Sequence, residues 1–189
     1  MEFTTKQNKK LTDIYPYLVP TNVWTDEPIK DYDYSYLRGE SDLPQGWFRL
    51  FLLYCKHIKK YLVAENIIDK FHFTQIKEKY GTMRLYNNLT TDNISYLTIL
   101  YEEFSKYVCE NCGEFATHQT TGWISSFCDN CVNTHETNAE KIKSLKACCI
   151  HRSAKNQSYK MYFSYKNLRK EYNKIKNMSQ EEFYNYLVD

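Results

Sequence analysis

Four cysteines near the middle of the chain have the spacing of a metal site. Cys109 and Cys112 form one pair, Cys128 and Cys131 form a second pair, and fifteen residues separate the two pairs. A spacer of two residues lets both thiolates of a pair reach one ion at about 2.3 Å, and two pairs complete a tetrahedron. The pattern therefore predicts a bound Zn²⁺ ion.

Four thiolates fill the coordination shell of zinc, whereas a catalytic zinc keeps one position for water. The sequence therefore predicts a structural ion whose binding energy serves folding. Two histidines lie nearby, His118 between the pairs and His135 four positions after Cys131. We expect both to lie next to the ligands or at the surface, since the cysteines already complete the shell.

The residues around the two pairs indicate how the ligands are positioned. Gly113 permits a tight turn after the first pair, and the stretch "FATHQTTGWISSF" predicts a β-hairpin that turns near Thr121 and Gly122. We expect the second pair to open a polar helix that continues to about Lys146. A turn, a hairpin and a helix in this order are typical of a zinc ribbon or treble clef.

The segment before the cysteines predicts a body made of helix, hairpin and helix. Apolar residues recur every three or four positions after Gly46 and predict a helix of about five turns. Two β-rich runs flank Tyr80-Gly81 and predict a hairpin, whose first strand begins late or carries a bulge. The side chains expected to face inward from this hairpin are Ile76, Met83 and Leu85.

A second helix is predicted between this hairpin and the cysteines. Thr91 or Asp92 can cap it, and it runs directly into Cys109. The residues expected on its buried stripe are Ile94, Leu97, Leu100, Tyr101 and Phe104. The predicted metal site is therefore joined to the body without a linker.

The two ends of the chain have a different character. All four prolines lie within the first 44 residues, which predicts an irregular arm with one short helical turn near residues 11–18. At the other end we expect one helix around Tyr165–Lys176 and a last helix after Ser179, where Glu182 completes a capping box.

The predicted fold class is α+β: a helix–β-hairpin–helix body fused to a four-cysteine zinc ribbon or treble clef, with a helical C-terminal tail. The predicted units are an acidic, Tyr-rich arm (1–45), the body (46–108), the zinc ribbon (109–146) and a basic tail (147–189).

Charge is unevenly distributed along the chain, although the net charge is only +2. Between Asp13 and Asp42 there are seven acids against two bases, and between Lys141 and Lys176 there are eleven bases against one acid. Such asymmetry indicates an anionic partner, or one half of the molecule lying on the other.

The amino terminus and the cysteines also bear on location. The first ten residues contain no apolar run typical of a secretory signal, and no apolar stretch is long enough for a membrane span. Seven cysteines are an odd number, and four of them have metal spacing, which favours a reducing compartment. We therefore expect the protein in a reducing cytoplasm, with Cys148 and Cys149 as ordinary thiols and Cys55 in the core.

Two surfaces are candidates for binding a partner. The hairpin residues Lys77, Lys79, Arg84 and Tyr86 form either a basic docking face or an ordinary solvated face. A second basic group lies behind the cysteines, with Trp123 as a possible stacking platform or as a ring packed over its own hairpin. The bases of this group are Lys141, Lys143, Lys146 and Arg152.

The chain lacks the motifs of common enzyme classes. Its five scattered glycines exclude a phosphate-binding loop, and no serine hydrolase motif is present. His135 and Glu136 follow the cysteines, which is the wrong order for a zinc deaminase. We expect no enzyme, with a zinc-dependent nuclease that uses His118 and His135 as the remaining catalytic alternative.

Five segments occur together in a recognisable order, "YPYL", "GWFRL", "TQIKEKYGTMRLY", "CENCG" and "GWISSFCDNC". In this combination the chain resembles a set of small, uncharacterised bacteriophage and prophage proteins over about residues 11–135. The resemblance implies a phage or mobile-element origin and a bacterial cytoplasm, and it brings no activity with it. The long basic tail departs from that pattern.

These features together predict a non-enzymatic phage accessory protein that binds and inhibits a bacterial host protein or ribonucleoprotein. A defence effector, such as a CRISPR nuclease, is the kind of target expected. The first alternative is a zinc-ribbon module that binds nucleic acid or modulates transcription through its basic residues.

Overall fold

A computed structural model of the protein describes residues 3–22, 24–25, 27–29, 43–132, 139–142 and 164–189. Within these ranges the chain combines helices with two small antiparallel sheets, which confirms the predicted α+β class. The helices are α1 (Thr5–Ile14), α2 (Phe48–Ala64), α3 (Asp92–Ser105), α4 (Asp129–Val132), α5 (Tyr165–Lys176) and α6 (Gln180–Val188). The strands are β1 (Phe73–Lys79), β2 (Thr82–Asn87), β3 (His118–Thr120), β4 (Ser126–Phe127) and β5 (Ala139–Lys141).

Helix α2 lies at the centre of the fold and packs against α3, α5 and α6. Most of its side chains are buried, because neighbours cover it on several sides. None of the helices in the described ranges has the length and apolar character that crossing a bilayer requires.

Strands β1 and β2 form a hairpin that lies against α3. Tyr80 and Gly81 both have positive φ, as a two-residue turn between right-twisted strands requires. The pairing register shifts between Phe73 and Gln75, so the predicted irregularity is a bulge. The predicted inward positions Ile76, Met83 and Leu85 are all buried, and Thr91 caps α3 as expected.

Both ends of the chain pack into the same core as the body. The Tyr15 hydroxyl donates to the carbonyl of Leu187 (2.6 Å), and the Arg49 guanidinium donates to the carbonyls of Ile175 and Met178 at the end of α5. A cation among the last carbonyls of a helix satisfies acceptors that the helix itself leaves open. The terminal residues buried in this core are Phe3, Leu11, Tyr15, Leu168, Tyr172, Ile175, Phe183 and Leu187.

Two sequence-based expectations are wrong. The N-terminal helix α1 has ten residues and begins at Thr5, after a capping box formed by Thr4 and Gln7, in a segment expected to be irregular. The predicted short helical turn is present as a 3₁₀ turn at Pro16–Leu18. The polar helix expected up to Lys146 does not include residues 139–141, which form strand β5 because they pair with the edge of β3. The predicted helix at 165–176 and the capping box of Ser179 with Glu182 are confirmed. The division into four units stays a prediction.

Candidate metal centre

A tight turn positions the first cysteine pair. The amide of Gly113 donates to the carbonyl of Cys109 (3.0 Å), and the amide of Cys109 donates to the carbonyl of Glu114 (2.7 Å). Gly113 has a φ of 79°, which is why a glycine occupies this position. We call residues 109–114 the knuckle.

The second pair lies where the β3–β4 hairpin runs into a helix. β3 pairs with β4, and Gly122 has a φ of 85° in the turn between them. Cys128 precedes α4 and Cys131 lies one turn later, its amide 3.0 Å from the carbonyl of Cys128. The predicted hairpin and helix start are therefore confirmed.

The knuckle is tied to strand β4 by a buried carboxylate. Glu110 accepts a hydrogen bond from the amide of Ser126 (2.7 Å), and its own amide donates to the carbonyl of Ser126 (3.0 Å). Burial raises the pKa of the Glu110 carboxyl to about 7, although the Ser126 hydrogen bond opposes that rise. These bonds fix the distance between the two cysteine pairs.

The ligand atoms of Cys109, Cys112, Cys128 and Cys131 all lie within 4.8 Å of one another. Four sulfurs at about 2.3 Å from one ion would be separated by about 3.8 Å, and the sulfurs of Cys112 and Cys128 are 3.6 Å apart. That separation is far above a disulfide bond length of about 2.05 Å. The four cysteines can therefore hold a metal ion, and in the described residues they are the one group of this kind.

The surroundings shift the pKa values of the thiols in different directions. Burial raises the pKa of Cys112 to about 11. Burial also acts to raise the pKa of Cys128, but a hydrogen bond from the Cys131 amide and neighbouring thiols hold it below its usual value. A divalent ion would deprotonate all four sulfurs and release their protons.

The body holds the knuckle in close contact. The amide of Gly46 donates to the carbonyl of Glu110 (2.7 Å), and a Cβ atom at Gly46 would lie only 2.0 Å from the Cys109 carbonyl oxygen. The indole of Trp47 donates to the carbonyl of Val108 (2.8 Å). Only a glycine at position 46 lets helix α2 begin this close to the candidate metal ligands.

Helix α5 holds the knuckle from a second direction. The buried Tyr172 hydroxyl donates to the carbonyl of Gly113 (2.7 Å), and the Lys176 ammonium lies 2.6 Å from the Glu114 carboxylate. A methyl group at Gly113 would lie 2.8 Å from the Gly46 carbonyl. The C-terminal segment therefore contributes directly to the candidate metal centre.

The hairpin residues predicted to bind a partner share one face of β1 and β2. Lys77 lies opposite Arg84, and Gln75 lies opposite Tyr86. Arg84 forms an ion pair with the largely buried Glu102 (3.0 Å), so its charge is already balanced. Lys77 lies over the Tyr86 ring and Lys79 over the Tyr80 ring. No carboxylate in the described part of the chain lies within 4 Å of either ammonium group.

The two hairpin turns of the molecule meet. A Cβ atom at Gly81 would lie 2.7 Å from the Ile124 side chain and 3.2 Å from its carbonyl oxygen. Trp123, the preceding residue, is 83% exposed, so the interpretation of this ring as packed over its own hairpin is wrong. Tyr80 is 69% exposed. We call Lys77, Lys79, Tyr80 and Trp123 the hairpin-tip surface.

Of the other predicted site residues, some lie within the described ranges of the chain and some lie outside them. Lys141 is exposed on β5, opposite His118. His118 is outside the ligand set, and its Nδ1 lies 3.3 Å from the Asp129 carboxylate. The remaining candidates lie outside the described residues: His135, Lys143, Lys146, Cys148, Cys149 and Arg152. Cys55 is buried in the core, as predicted.

Sequence reasoning missed a buried polar network. His57 has no partner that the sequence suggests, yet its Nδ1 contacts the Tyr101 hydroxyl and its Nε2 lies 3.1 Å from Glu171 on α5. The Tyr186 hydroxyl donates to the same carboxylate. Burial lowers the pKa of the His57 imidazole, against the effect of Glu171. The network joins α2, α3, α5 and α6, and no local pattern could have revealed it.

Comparison of the chain with family models, with curated proteins and with solved structures found no match. The resemblance to small bacteriophage proteins therefore stays a prediction.

Proposed function

We propose that this chain is a non-enzymatic binding protein of phage origin that acts by occupying a surface of a bacterial host protein. The observation that carries this proposal is the combination, on neighbouring hairpins, of a complete set of four thiolates and an exposed aromatic and basic surface. The first feature stabilises the fold and the second offers contacts.

The thiolate set supports a structural role for the ion. Four protein ligands leave no position for a reacting water, and tetrahedral sulfur coordination suits zinc. The succession of knuckle, hairpin and helix is also that of a treble clef. We therefore propose Zn²⁺ as the ion, with its binding energy contributing to folding.

The hairpin-tip surface supports binding of a partner. Exposed tryptophan and tyrosine rings are costly to leave in water and are enriched among residues that dominate binding energy. The Lys79 ammonium lies over the Tyr80 ring, and Trp123 is exposed on the hairpin that meets this turn. Neither Lys77 nor Lys79 has a carboxylate partner among the described residues. An acidic surface on the host target would complement these charges.

A second candidate function, binding of nucleic acid, is favoured by one observation. The exposed Trp123 ring, on the hairpin that meets the lysine-bearing β1–β2 hairpin, suits a platform on which an unpaired base stacks. Lys141, on the exposed strand β5, can add a phosphate contact. This interpretation predicts a steep loss of affinity with salt.

An affinity capture experiment separates these functions. Metal-loaded protein is immobilised and incubated with bacterial lysate, in parallel with and without nuclease treatment. The proposal predicts that wild-type protein retains a host protein and that a Trp123→Ala/Lys77→Ala variant retains at least tenfold less. A Lys166→Ala/Lys170→Ala variant, altered on the exposed face of α5, is the matched control and should behave as wild type.

Two results would contradict the proposed function. One is the absence of any host protein above background. The other is capture that disappears when the lysate is treated with nuclease, combined with tight, salt-sensitive binding of plain oligonucleotides, which would favour the second candidate. Cleavage of RNA or plasmid by the metal-loaded protein would establish an enzyme instead.

A further inference from the structure

The two outer edges of the β1–β2 hairpin differ in whether their backbone amides have hydrogen-bond partners. On β2, the amide of Met83 donates to the Ser105 hydroxyl (2.8 Å), and the amide of Leu85 donates to the Glu102 carboxylate (2.9 Å). Helix α3 therefore covers the edge of β2 with side-chain acceptors. Another strand cannot pair there without displacing them.

The edge of β1 has no such cover. Because the turn has two residues, Lys79 and Thr82 form a hydrogen-bonded pair of the antiparallel ladder. Hydrogen-bonded pairs alternate along the ladder, so the backbone of Lys77 also bonds to β2. The amides and carbonyls of Ile76 and Glu78 therefore point away from β2. Within the described residues, no group accepts a hydrogen bond from the amide of Ile76 or Glu78. An edge with unpaired backbone groups is a template for an additional strand.

The side chains next to this edge favour a partner with negative charge. Lys77 and Lys79 project from the outer face of β1, and Gln75 on the same face is exposed. The Glu78 side chain leaves β1 on the opposite face from the two lysines, and its carboxylate accepts a hydrogen bond from the amide of Gly81 (2.7 Å) at the turn. A strand added beside β1 would place alternate side chains next to the two lysines.

We infer that the β1 edge accepts an extended acidic segment of a partner protein by strand addition, with the acidic side chains next to Lys77 and Lys79. This inference rests on the proposed binding function and specifies its partner chemistry. Main-chain hydrogen bonds to Ile76 and Glu78 supply affinity, and the lysines supply specificity. A protein segment fits better than nucleic acid because, among the described residues, Lys77 and Lys79 are the two cations without a carboxylate partner beside this edge, whereas phosphate backbones are bound through several.

The test uses the full chain and a defined probe, a fluorescein-labelled twelve-residue peptide of alternating Glu and Thr. Amide hydrogen exchange reads the site directly. The amides of Ile76 and Glu78 should exchange freely in the protein alone and at least tenfold more slowly with saturating peptide. Replacing Lys77 and Lys79 by alanine should weaken binding by about 2- to 30-fold, the range for two cross-strand charge pairs.

Three controls make the outcome decisive. A peptide N-methylated at alternate residues cannot form the backbone bonds and should not bind, and a peptide of alternating Lys and Thr should bind far more weakly. The Lys166→Ala/Lys170→Ala variant should bind the acidic peptide as wild type does.

The inference is overturned if the peptide does not bind at millimolar concentration, if methylation leaves binding unchanged, or if Ile76 and Glu78 are already protected in the free protein. It is also overturned if oligo-dT binds at this edge more tightly than the peptide. Capture of a host protein by a variant with an altered edge would leave the proposed function standing and remove only this site.

Discussion

Replacing Gly46 by alanine should damage both the fold and the candidate metal centre. The new Cβ atom would lie 2.0 Å from the Cys109 carbonyl oxygen and 2.6 Å from that of Glu110, and both atoms belong to backbone. Real Cβ contacts stay above 3.0 Å, so the start of α2 and the knuckle must separate by about 1 Å. That movement carries Cys109, a predicted ligand, away from the other three sulfurs.

The expected magnitude follows from the bonds that this movement breaks. The Gly46 amide loses its acceptor at Glu110, and the bond from the Gly113 amide to the Cys109 carbonyl is distorted. Two hydrogen bonds contribute about 1 kcal/mol each, and overpacking costs about 1–3 kcal/mol. The total of about 3–5 kcal/mol corresponds to a fall of about 6–20 °C in melting temperature for a chain of this size.

Thermal unfolding followed by circular dichroism measures this effect, and competition with a chromophoric chelator measures metal affinity. Gly122→Ala is the control for steric crowding, because no atom of the described residues lies within 4 Å of the new methyl group, although Gly122 itself has a positive φ. It should cost only about 1–2 kcal/mol of backbone strain and leave metal affinity unchanged. If Gly46→Ala melts like the wild type and binds metal equally well, the contact between body and knuckle is not as described.

Three further changes test other parts of the account. Cys112→Ser should abolish tight metal binding and expose the ribbon to protease, because three thiolates no longer close the shell; retention of one tightly bound ion would contradict this. Tyr172→Phe should lower the free energy of unfolding in urea by about 1–2 kcal/mol, since the Gly113 carbonyl loses its buried donor; an unchanged unfolding midpoint would contradict it. Burial lowers the pKa of His57, so the unfolded chain binds this proton at higher pH than the folded one. The contribution of His57 to stability should therefore decline as pH falls below about 6.5. The difference in stability between wild type and His57→Gln should change with pH in this direction, and a difference that does not vary with pH would contradict it.

Local features of the fold were predictable because a few neighbouring residues determine them. The turn at Gly81 requires positive φ, and the cap at Thr91 and the capping box at Ser179 are each formed within four residues. The cysteine spacing belongs to the same class of signal, since each pair forms a single tight turn.

Features that depend on distant contacts were not predictable. The exposed residues 139–141 have no strand pattern of their own and become β5 only because β3 offers an edge. Glycine at position 46 marks a helix start in the sequence, but only the fold brings it against the knuckle. The same holds for Tyr172, which reaches Gly113 across 59 residues of sequence.

X-ray absorption spectroscopy of freshly purified protein tests the central claim most directly, because it counts the atoms bound to the ion. The account predicts one zinc per chain with four sulfur neighbours at about 2.3 Å and no oxygen or nitrogen neighbour. Protein without stoichiometric metal, or a shell that includes a water oxygen, would contradict the account.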